Sequence, residues 1–292
     1  MIPNNNLSVL PFYESIEQQN ARKWWTYGRV YPLFTQAGYL LPFQIITAHH
    51  PNWTINNLRP VQIIDANTDQ VVRDITTEMR AGIVKKEFPN LGYDVWVFPG
   101  TMPVLASLDN GRYYLMLVWG YAIYSEIFTV VNDIQPYLKI TWWDEQDFTM
   151  DAGTIVYTNP SFKNVLYLKA DLAKPEYPFE EEGENRDGYF FPTKQISEKR
   201  YRFAFFASEY LLDVMRFIRM ADHAQIEYHG QTYNLDTFLI TPEWESNGDV
   251  AAVQAEFDTA TVAKKINIGS GAIPVQRGDF NNDFNNDFNN QQ

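Results

Sequence analysis

The stretch 200–257 constrains the fold of this chain more than any other part of the sequence. Apolar residues alternate with other residues over 201–206, which is the pattern of a half-buried strand. Ser208 then stands where a helix N-cap is expected, and from Leu211 to Ile218 apolar residues recur at three- and four-residue spacing. This spacing predicts one helix over about 208–221.

Three further strands are predicted after this helix, over 226–229, 233–240 and 249–257. Alternate residues of the last strand are apolar and therefore share one face: Ala251, Val253, Ala255 and Phe257. A strand, a helix and three strands in this order predict a single helix packed on a mostly antiparallel sheet, because each element then buries its apolar face.

The other parts of the chain differ from this unit in their pattern. Residues 1–60 are interrupted by prolines and rich in aromatics, which predicts an irregular arm. Residues 61–138 contain short apolar stretches separated by turn residues, as in a β-sandwich-like domain. Residues 139–264 then form a second β-domain with the one helix, and 265–292 form a low-complexity tail that repeats Asp-Phe-Asn-Asn. The predicted fold class is mainly β.

Two glycine-containing dipeptides predict turns within the sandwich-like domain. Asn110-Gly111 is a strong signal for a two-residue hairpin. Trp119-Gly120 separates the next two predicted strands and is expected to join them.

Charge and residue types exclude several classes of function. The formal net charge of -13 opposes binding to a nucleic-acid backbone, because that requires clusters of Lys and Arg. The chain has no cysteine for disulfides or thiolate sites, and no apolar run approaches the roughly 18 residues of a membrane span. Phosphate-loop, dinucleotide-binding and zinc-protease motifs are also missing. We therefore expect no cofactor, no metal, no sequence-specific nucleic-acid binding and no enzyme activity.

Aromatic residues make up 16% of the chain, and this ring surface must be buried in the core or against partners. Two tryptophans fall in the N-terminal arm, an acidic loop is predicted over 176–188, and phenylalanines recur every fourth residue in the tail. These features predict contacts between subunits. The candidate interface residues are Trp24, Trp25, Glu181, Glu182, Arg186, Asp187, Phe280, Phe284 and Phe288.

Two other functions fit parts of the same sequence. A carbohydrate-binding or receptor-binding protein would use exposed rings such as Trp24, Trp25 or Trp142 as platforms for sugars. A glycan-cleaving enzyme would need two carboxylates beside an aromatic platform, and Asp144 and Asp147 follow Trp142 closely. Spacing alone does not fix the geometry of such a pair, so both alternatives stay open at this point.

Four runs of the sequence carry a resemblance to known proteins: 124–128, 181–188, 199–203 and 209–216. They resemble runs in virion proteins encoded by phages and prophages of gut and aquatic Bacteroidetes, and the similarity extends over about 42–265. Separately, the strand–helix–strand order is similar to that of the tail-tube and distal-tail families, whose members form rings around a DNA channel.

The resemblance implies a structural protein of a phage tail, baseplate or connector, with a tail-tube-like antiparallel sheet as its second domain. Such a protein is made in the bacterial cytoplasm and located in the virion, where it contacts copies of itself in a ring and other virion proteins. The repeated Asp-Phe-Asn-Asn tail departs from these families, so the resemblance gives it no role.

Overall fold

A computed structural model describes residues 8–15, 33–98, 108–145, 148–149, 156–157, 163–244, 250–259 and 263–266. Most of these residues lie in strands, which confirms the prediction of a mainly β fold. Several candidate interface residues lie outside this part of the chain: Trp24, Trp25, Phe280, Phe284 and Phe288.

The first half of the chain contains ten strands and one α-helix within the described residues. In chain order they are β1 (Phe12–Tyr13), β2 (Leu33–Gln36), β3 (Phe43–Ala48), β4 (Val61–Asp65), β5 (Val71–Asp74), α1 (Thr76–Gly82), β6 (Val84–Phe88), β7 (Tyr93–Phe98), β8 (Gly111–Trp119), β9 (Tyr121–Ser125) and β10 (Phe128–Val131). Single turns of 3-10 helix occur at Ile55–Asn57 and Pro89–Leu91.

The second half contains the other described strands and the second α-helix. These are β11 (Leu138–Trp143), β12 (Phe148–Thr149), β13 (Val156–Tyr157), β14 (Asn164–Leu168), β15 (Phe179–Arg186), β16 (Tyr189–Ser197), β17 (Arg200–Ser208), α2 (Glu209–Met215), β18 (His223–Tyr228), β19 (Gln231–Trp244), β20 (Val250–Thr259) and β21 (Ala263–Ile266). A 3-10 turn at Ile218–Met220 follows α2.

The unit predicted over 200–257 belongs to a six-stranded antiparallel sheet with the order β14-β11-β18-β19-β20-β17. The predicted buried face of β20 is confirmed, since Ala251, Val253, Ala255 and Phe257 are each at most 1% exposed. The predicted helix is too long, because α2 ends at Met215. The backbone N–H of Phe217 donates to the carbonyl of Val214, three residues earlier, and this tighter turn ends the α-helix.

A second sheet and a small third sheet enclose the rest of the core in the manner of a sandwich. Strand β8 is central to the second sheet, since it pairs with β4, β9 and β10. The third sheet has the order β3-β7-β6. Aromatic rings connect these two sheets: Trp96 of β7 meets Trp119 of β8 edge-on, with 4.3 Å between ring centroids.

Two sequence predictions are wrong in this region. Within the described residues Asn110-Gly111 joins no hairpin, because the predicted strands on either side of it are β7 and β8, which belong to different sheets. Only strands are predicted for 61–138, yet α1 lies within this range. Only Met79 of α1 is buried, so the helix has no periodic apolar face that the sequence pattern could reveal.

One hydrophobic cluster contains residues from both predicted β-domains, such as Leu117 of β8, Leu138 of β11 and Phe257 of β20. The compact units accordingly do not divide near residue 138, where the sequence predicted a boundary. One unit consists of 1–176 and 199–261, and the other consists of 177–198 and 262–292. The predicted boundary differs from this division because the first residues of β11 pack into the shared core.

Candidate functional site

Four candidate interface residues lie together in a β-hairpin made by β15 and β16. Sequence analysis predicted an acidic loop here, but 179–186 is a strand. The two strands are joined by Asp187 and Gly188 alone, whose φ angles are 51° and 81°. Two consecutive positive φ values define a type I′ turn, and its twist matches that of the strands it connects. The acidic segment is therefore one arm of a hairpin.

The hairpin unit exposes large apolar side chains to solvent. The exposed fractions are 67% for Tyr177, 58% for Phe179, 72% for Tyr189, 49% for Phe190, 49% for Phe191 and 54% for Ile266. None of the side chains whose burial is described in 177–198 and 263–266 is buried. Six exposed apolar side chains in so small a unit are typical of a surface that binds another protein.

Gly183 determines how the aromatic arm packs on the acidic arm. The register between β15 and β16 shifts between Glu182 and Gly183, which is the signature of a β-bulge. A Cβ atom at Gly183 would collide with the carbonyl oxygen of Phe191 and would lie 2.7 Å from Cζ of Phe190. Only glycine fits at this position, so the residue holds Phe190 against the backbone of β15.

Polar contacts across the hairpin involve two of the predicted interface residues. Lys194 Nζ donates to Glu182 Oε1 at 2.8 Å, and the Gln195 amide donates to the Glu181 carboxylate. Arg186 lies opposite Tyr189 in the register. The structure thus brings the predicted acidic residues together, but sequence analysis missed the aromatic residues beside them. The signal was present in Asp187-Gly188, which is a strong hairpin dipeptide.

The edges of this small sheet differ in charge. Its strand order is β15-β16-β21, and within the described residues no strand pairs with the outer side of β15 or β21. Strand β15 contains Glu180, Glu181, Glu182 and Glu184, whereas β21 has the sequence Ala-Lys-Lys-Ile. One edge strand is therefore acidic and the other basic.

A second feature, in the sandwich, is a cleft between β3, the β8–β9 turn and the loop after β3. It has a volume of about 150 Å³, and its lining includes Ile45, Thr47, His50, Trp53, Trp119 and Tyr121. The rings of Trp53 and Trp119 lie nearly parallel, at 16° and 5.8 Å between centroids. The positive φ of 78° at Gly120 makes the tight turn that brings Trp119 and Tyr121 into this cleft.

The buried carboxylate of Asp94 holds the loop that carries His50 and Trp53. Asp94 is 0% exposed and accepts hydrogen bonds from the His49 ring at 2.7 Å and from the backbone N–H of His50 at 3.0 Å. Lys85 Nζ lies 3.3 Å from the same carboxylate and donates to the Trp53 carbonyl at 3.1 Å. Burial alone raises the pKa of Asp94, but the donors from His49, His50 and Lys85 outweigh it, and the net pKa is lowered.

The carboxylates near Trp142 hold strands β11 and β18 together. Asp144 accepts a bond from the backbone N–H of Asp222 at 3.1 Å, while Asp222 accepts one from Glu145 N–H at 2.9 Å. Burial raises the pKa of Asp144, and the nearby charge of Asp222 raises it further. Asp147, the second carboxylate proposed for glycan cleavage, lies outside the described residues.

Trp142 is 1% exposed, so it cannot be the sugar platform that the sequence suggested. The next residue, Trp143, points to the opposite face of β11 and is half-buried. Its ring lies against Lys163, with Nζ 4.0 Å from the ring centroid. His223 stacks on Trp143 at 5.1 Å. Lys163 and His223 therefore cover part of the Trp143 ring, while Trp142 is buried in the core.

No protein-family model matches this chain, and a comparison with curated proteins finds no match. Within the described residues, no helix has the length and apolar character needed to span a bilayer. The same part of the chain contains no group of three acidic, histidine or cysteine side chains placed to hold a metal ion.

Proposed function

We propose that this protein is a structural component of a bacteriophage virion, in the tail, baseplate or connector, and that it assembles with copies of itself into a ring around the DNA path. Two independent features support the proposal. One is the resemblance of four sequence runs to phage virion proteins, of which the run 181–188 lies in the exposed hairpin. The other, which carries the proposal of assembly, is the aromatic surface of that hairpin.

The amount of apolar surface on the hairpin is close to what an interface needs. Aromatic side chains bury about 150–250 Å² each when fully covered, so the exposed fractions of these rings leave roughly 600 Å² to bury. A specific interface buries about 800 Å² per partner. At about 25 cal/mol per Å², covering this area is strongly favourable before the costs of association are subtracted.

The charges on the edge strands favour a second copy of the chain as the partner. Two acidic β15 strands repel each other, which disfavours a symmetric contact between like edges. The acidic β15 of one copy and the lysine-containing β21 of the next attract each other. A contact between two different surfaces can repeat from copy to copy. The copies form a closed ring when the rotation that relates neighbouring copies divides a full turn evenly.

The net charge of -13 also fits a protein that surrounds DNA without binding it tightly. An acidic ring repels the phosphate backbone, so DNA can pass through it. A clustered set of Lys and Arg would instead hold the DNA in place. The net charge thus agrees with a passive structural role, in which the protein makes no sequence-specific contacts to DNA.

Removal of the aromatic surface tests the assembly proposal. We expect the purified wild-type chain to form an oligomer by light scattering, and the double variant Phe190→Ser and Phe191→Ser to be monomeric. Phe206→Ser is the matched control, because Phe206 is 53% exposed on β17 and should not affect the oligomer. A wild-type chain that stays monomeric up to high concentration, or a double variant of unchanged mass, would contradict the proposal.

Charge reversal tests which edges meet. The double variant with Lys264→Glu and Lys265→Glu makes both edge strands acidic. The double variant with Glu180→Lys and Glu181→Lys adds lysines to the acidic strand β15. We expect each variant alone to assemble poorly and an equal mixture of the two to assemble again, with alternating copies. Wild-type-like assembly of each variant alone would show that these edges do not meet.

A further inference from the structure

The cleft of the sandwich has the size of a single six-membered ring. Its volume is about 150 Å³, and an apolar protein cavity of about 150 Å³ holds one benzene molecule. Clefts for larger molecules are typically about 300–1,000 Å³. An occupant of this cleft is therefore one ring, either free or at the end of a longer chain.

The walls of the cleft present apolar faces to such a ring. Trp53 is partly exposed, and its ring stacks on His50 at 5.5 Å and on Trp119 at 5.8 Å between centroids. Tyr121 is 45% exposed at the rim of the cleft. Ile45 and Ile123 add buried aliphatic surface to the lining. Aromatic faces attract the weakly positive C–H groups of a saturated ring.

Polar groups in the same lining need hydrogen-bond partners. The indole Nε1 of Trp119 is buried and makes no hydrogen bond within the described residues. This nitrogen is enclosed by protein atoms, so an occupant of the open cleft does not reach it. The ring nitrogens of His50 and the hydroxyl of Tyr121 form no described hydrogen bond either, and they can serve an occupant of the cleft.

The cleft is also held in shape before any ligand arrives. Asp94 fixes the backbone of His50, and Lys85 Nζ fixes the carbonyl of Trp53, as described above. Thr54 and Asn57 close the 3-10 turn that follows, through a bond of 2.8 Å from the Thr54 N–H to the Asn57 side chain. A pre-ordered loop loses little conformational entropy on binding, which is typical of a recognition site.

We propose that this cleft binds one neutral pyranose residue, such as the terminal sugar of a surface glycan. A pyranose combines the features that the lining requires: a ring of matching size, C–H faces for the aromatic walls, and oxygen atoms for His50 and Tyr121. Among the described residues, those that line the cleft include no carboxylate, lysine or arginine, which favours a sugar without charge. The proposal is independent of the assembly proposed for the hairpin.

Saturation-transfer NMR with the methyl glycosides of glucose, galactose, mannose and N-acetylglucosamine tests this inference on the full chain. We expect at least one glycoside to bind the wild type in the millimolar range, and Trp53→Ala to weaken that binding about tenfold, equal to about 1.4 kcal/mol. Trp244→Ala is the matched control, since Trp244 is 46% exposed on β19 and does not line the cleft.

A second variant protects the test against misfolding. Tyr121→Phe removes one exposed hydroxyl and leaves the ring, so it should fold normally and still weaken glycoside binding severalfold. Absence of binding by all four glycosides, or equal binding by wild type and Trp53→Ala, overturns the proposal. Binding of phenol without binding of any glycoside also overturns it, because that result would assign the cleft to an aromatic side chain of a protein partner.

Discussion

The ring of His49 donates a hydrogen bond to Asp94, with 2.7 Å between Nδ1 and Oδ1. An ionised carboxylate can only accept, and the pKa of Asp94 is lowered, so at neutral pH the proton is on Nδ1 of His49. Asp94 is fully buried on β7, whereas His49 begins the loop that contains Trp53. This contact therefore ties the aromatic cleft to the core of the sandwich.

Replacement of Asp94 should destabilise the fold. Asp94→Asn removes the charge and places an amide donor where three donors already converge, so we expect the free energy of unfolding to fall by about 2–3 kcal/mol. Urea denaturation followed by tryptophan fluorescence measures this change. Glu87→Gln is the control, because Glu87 is 51% exposed and should have little effect. Equal stabilities of Asp94→Asn and wild type would refute the role given to this carboxylate.

The same carboxylate should contribute to acid sensitivity. Its pKa is lower in the folded chain than in the unfolded chain, where Asp titrates near about 3.9. The stabilisation is therefore complete above that value and is lost as the pH falls through the lower folded pKa. Between pH of about 5 and 2, we expect the unfolding free energy of the wild type to decrease more steeply than that of Asp94→Asn. Parallel pH profiles would count against this assignment.

Strand β17 should depend on the ion pair between Arg200 and Asp258. Both guanidinium bonds are short, at 2.8 Å from Nε and 3.0 Å from Nη2, and Thr237 Oγ1 donates to the same carboxylate at 2.9 Å. We expect Asp258→Asn to lower the free energy of unfolding by about 2 kcal/mol. Asp236→Asn is the control, because Asp236 is exposed and its replacement should leave the free energy of unfolding nearly unchanged. If both variants lose the same amount of stability, the ion pair between Arg200 and Asp258 has no special role.

Gly183→Ala should disturb the hairpin without affecting the main core. The added Cβ meets the backbone of Phe191, so the β15–β16 pairing must shift and Phe190 must move. We expect a large loss of assembly by light scattering and an unfolding transition of the core close to that of wild type. Phe206→Ser on β17, which is exposed and outside the hairpin, is again the control and should assemble normally. An alanine variant that assembles fully would show that the hairpin geometry is unimportant for the interface.

Local patterns predicted the elements whose partners are close in sequence. The alternation of apolar residues from Ala251 to Phe257 predicts the correct buried face of β20. A strand with one buried face has an apolar residue at every second position, and this pattern is visible in the sequence. Asp187-Gly188 and Asn110-Gly111 are both strong hairpin signals, yet among the strands that the structure describes only the first dipeptide joins a pair. Whether a dipeptide makes a hairpin depends on the pairing of its flanking strands, and that is decided by distant residues.

The aromatic cleft could not be predicted for the same reason. Its lining comes from β3, from the loop after it and from the turn near Trp119 and Tyr121, so these residues meet only when two sheets pack. Trp53 has no neighbouring signal in the sequence. The exposed rings after Asp187-Gly188 were visible, but the acidic residues before them favoured the interpretation as a loop.

Electron cryo-microscopy of phage particles purified from a host that carries the gene for this chain tests the central proposal most directly. We predict a ring of identical copies around the DNA channel, in which the hairpin of each copy is covered by its neighbour and β15 lies beside the next β21. Particles that lack the chain, or a ring in which Phe190 and Phe191 remain exposed to solvent, would contradict the account.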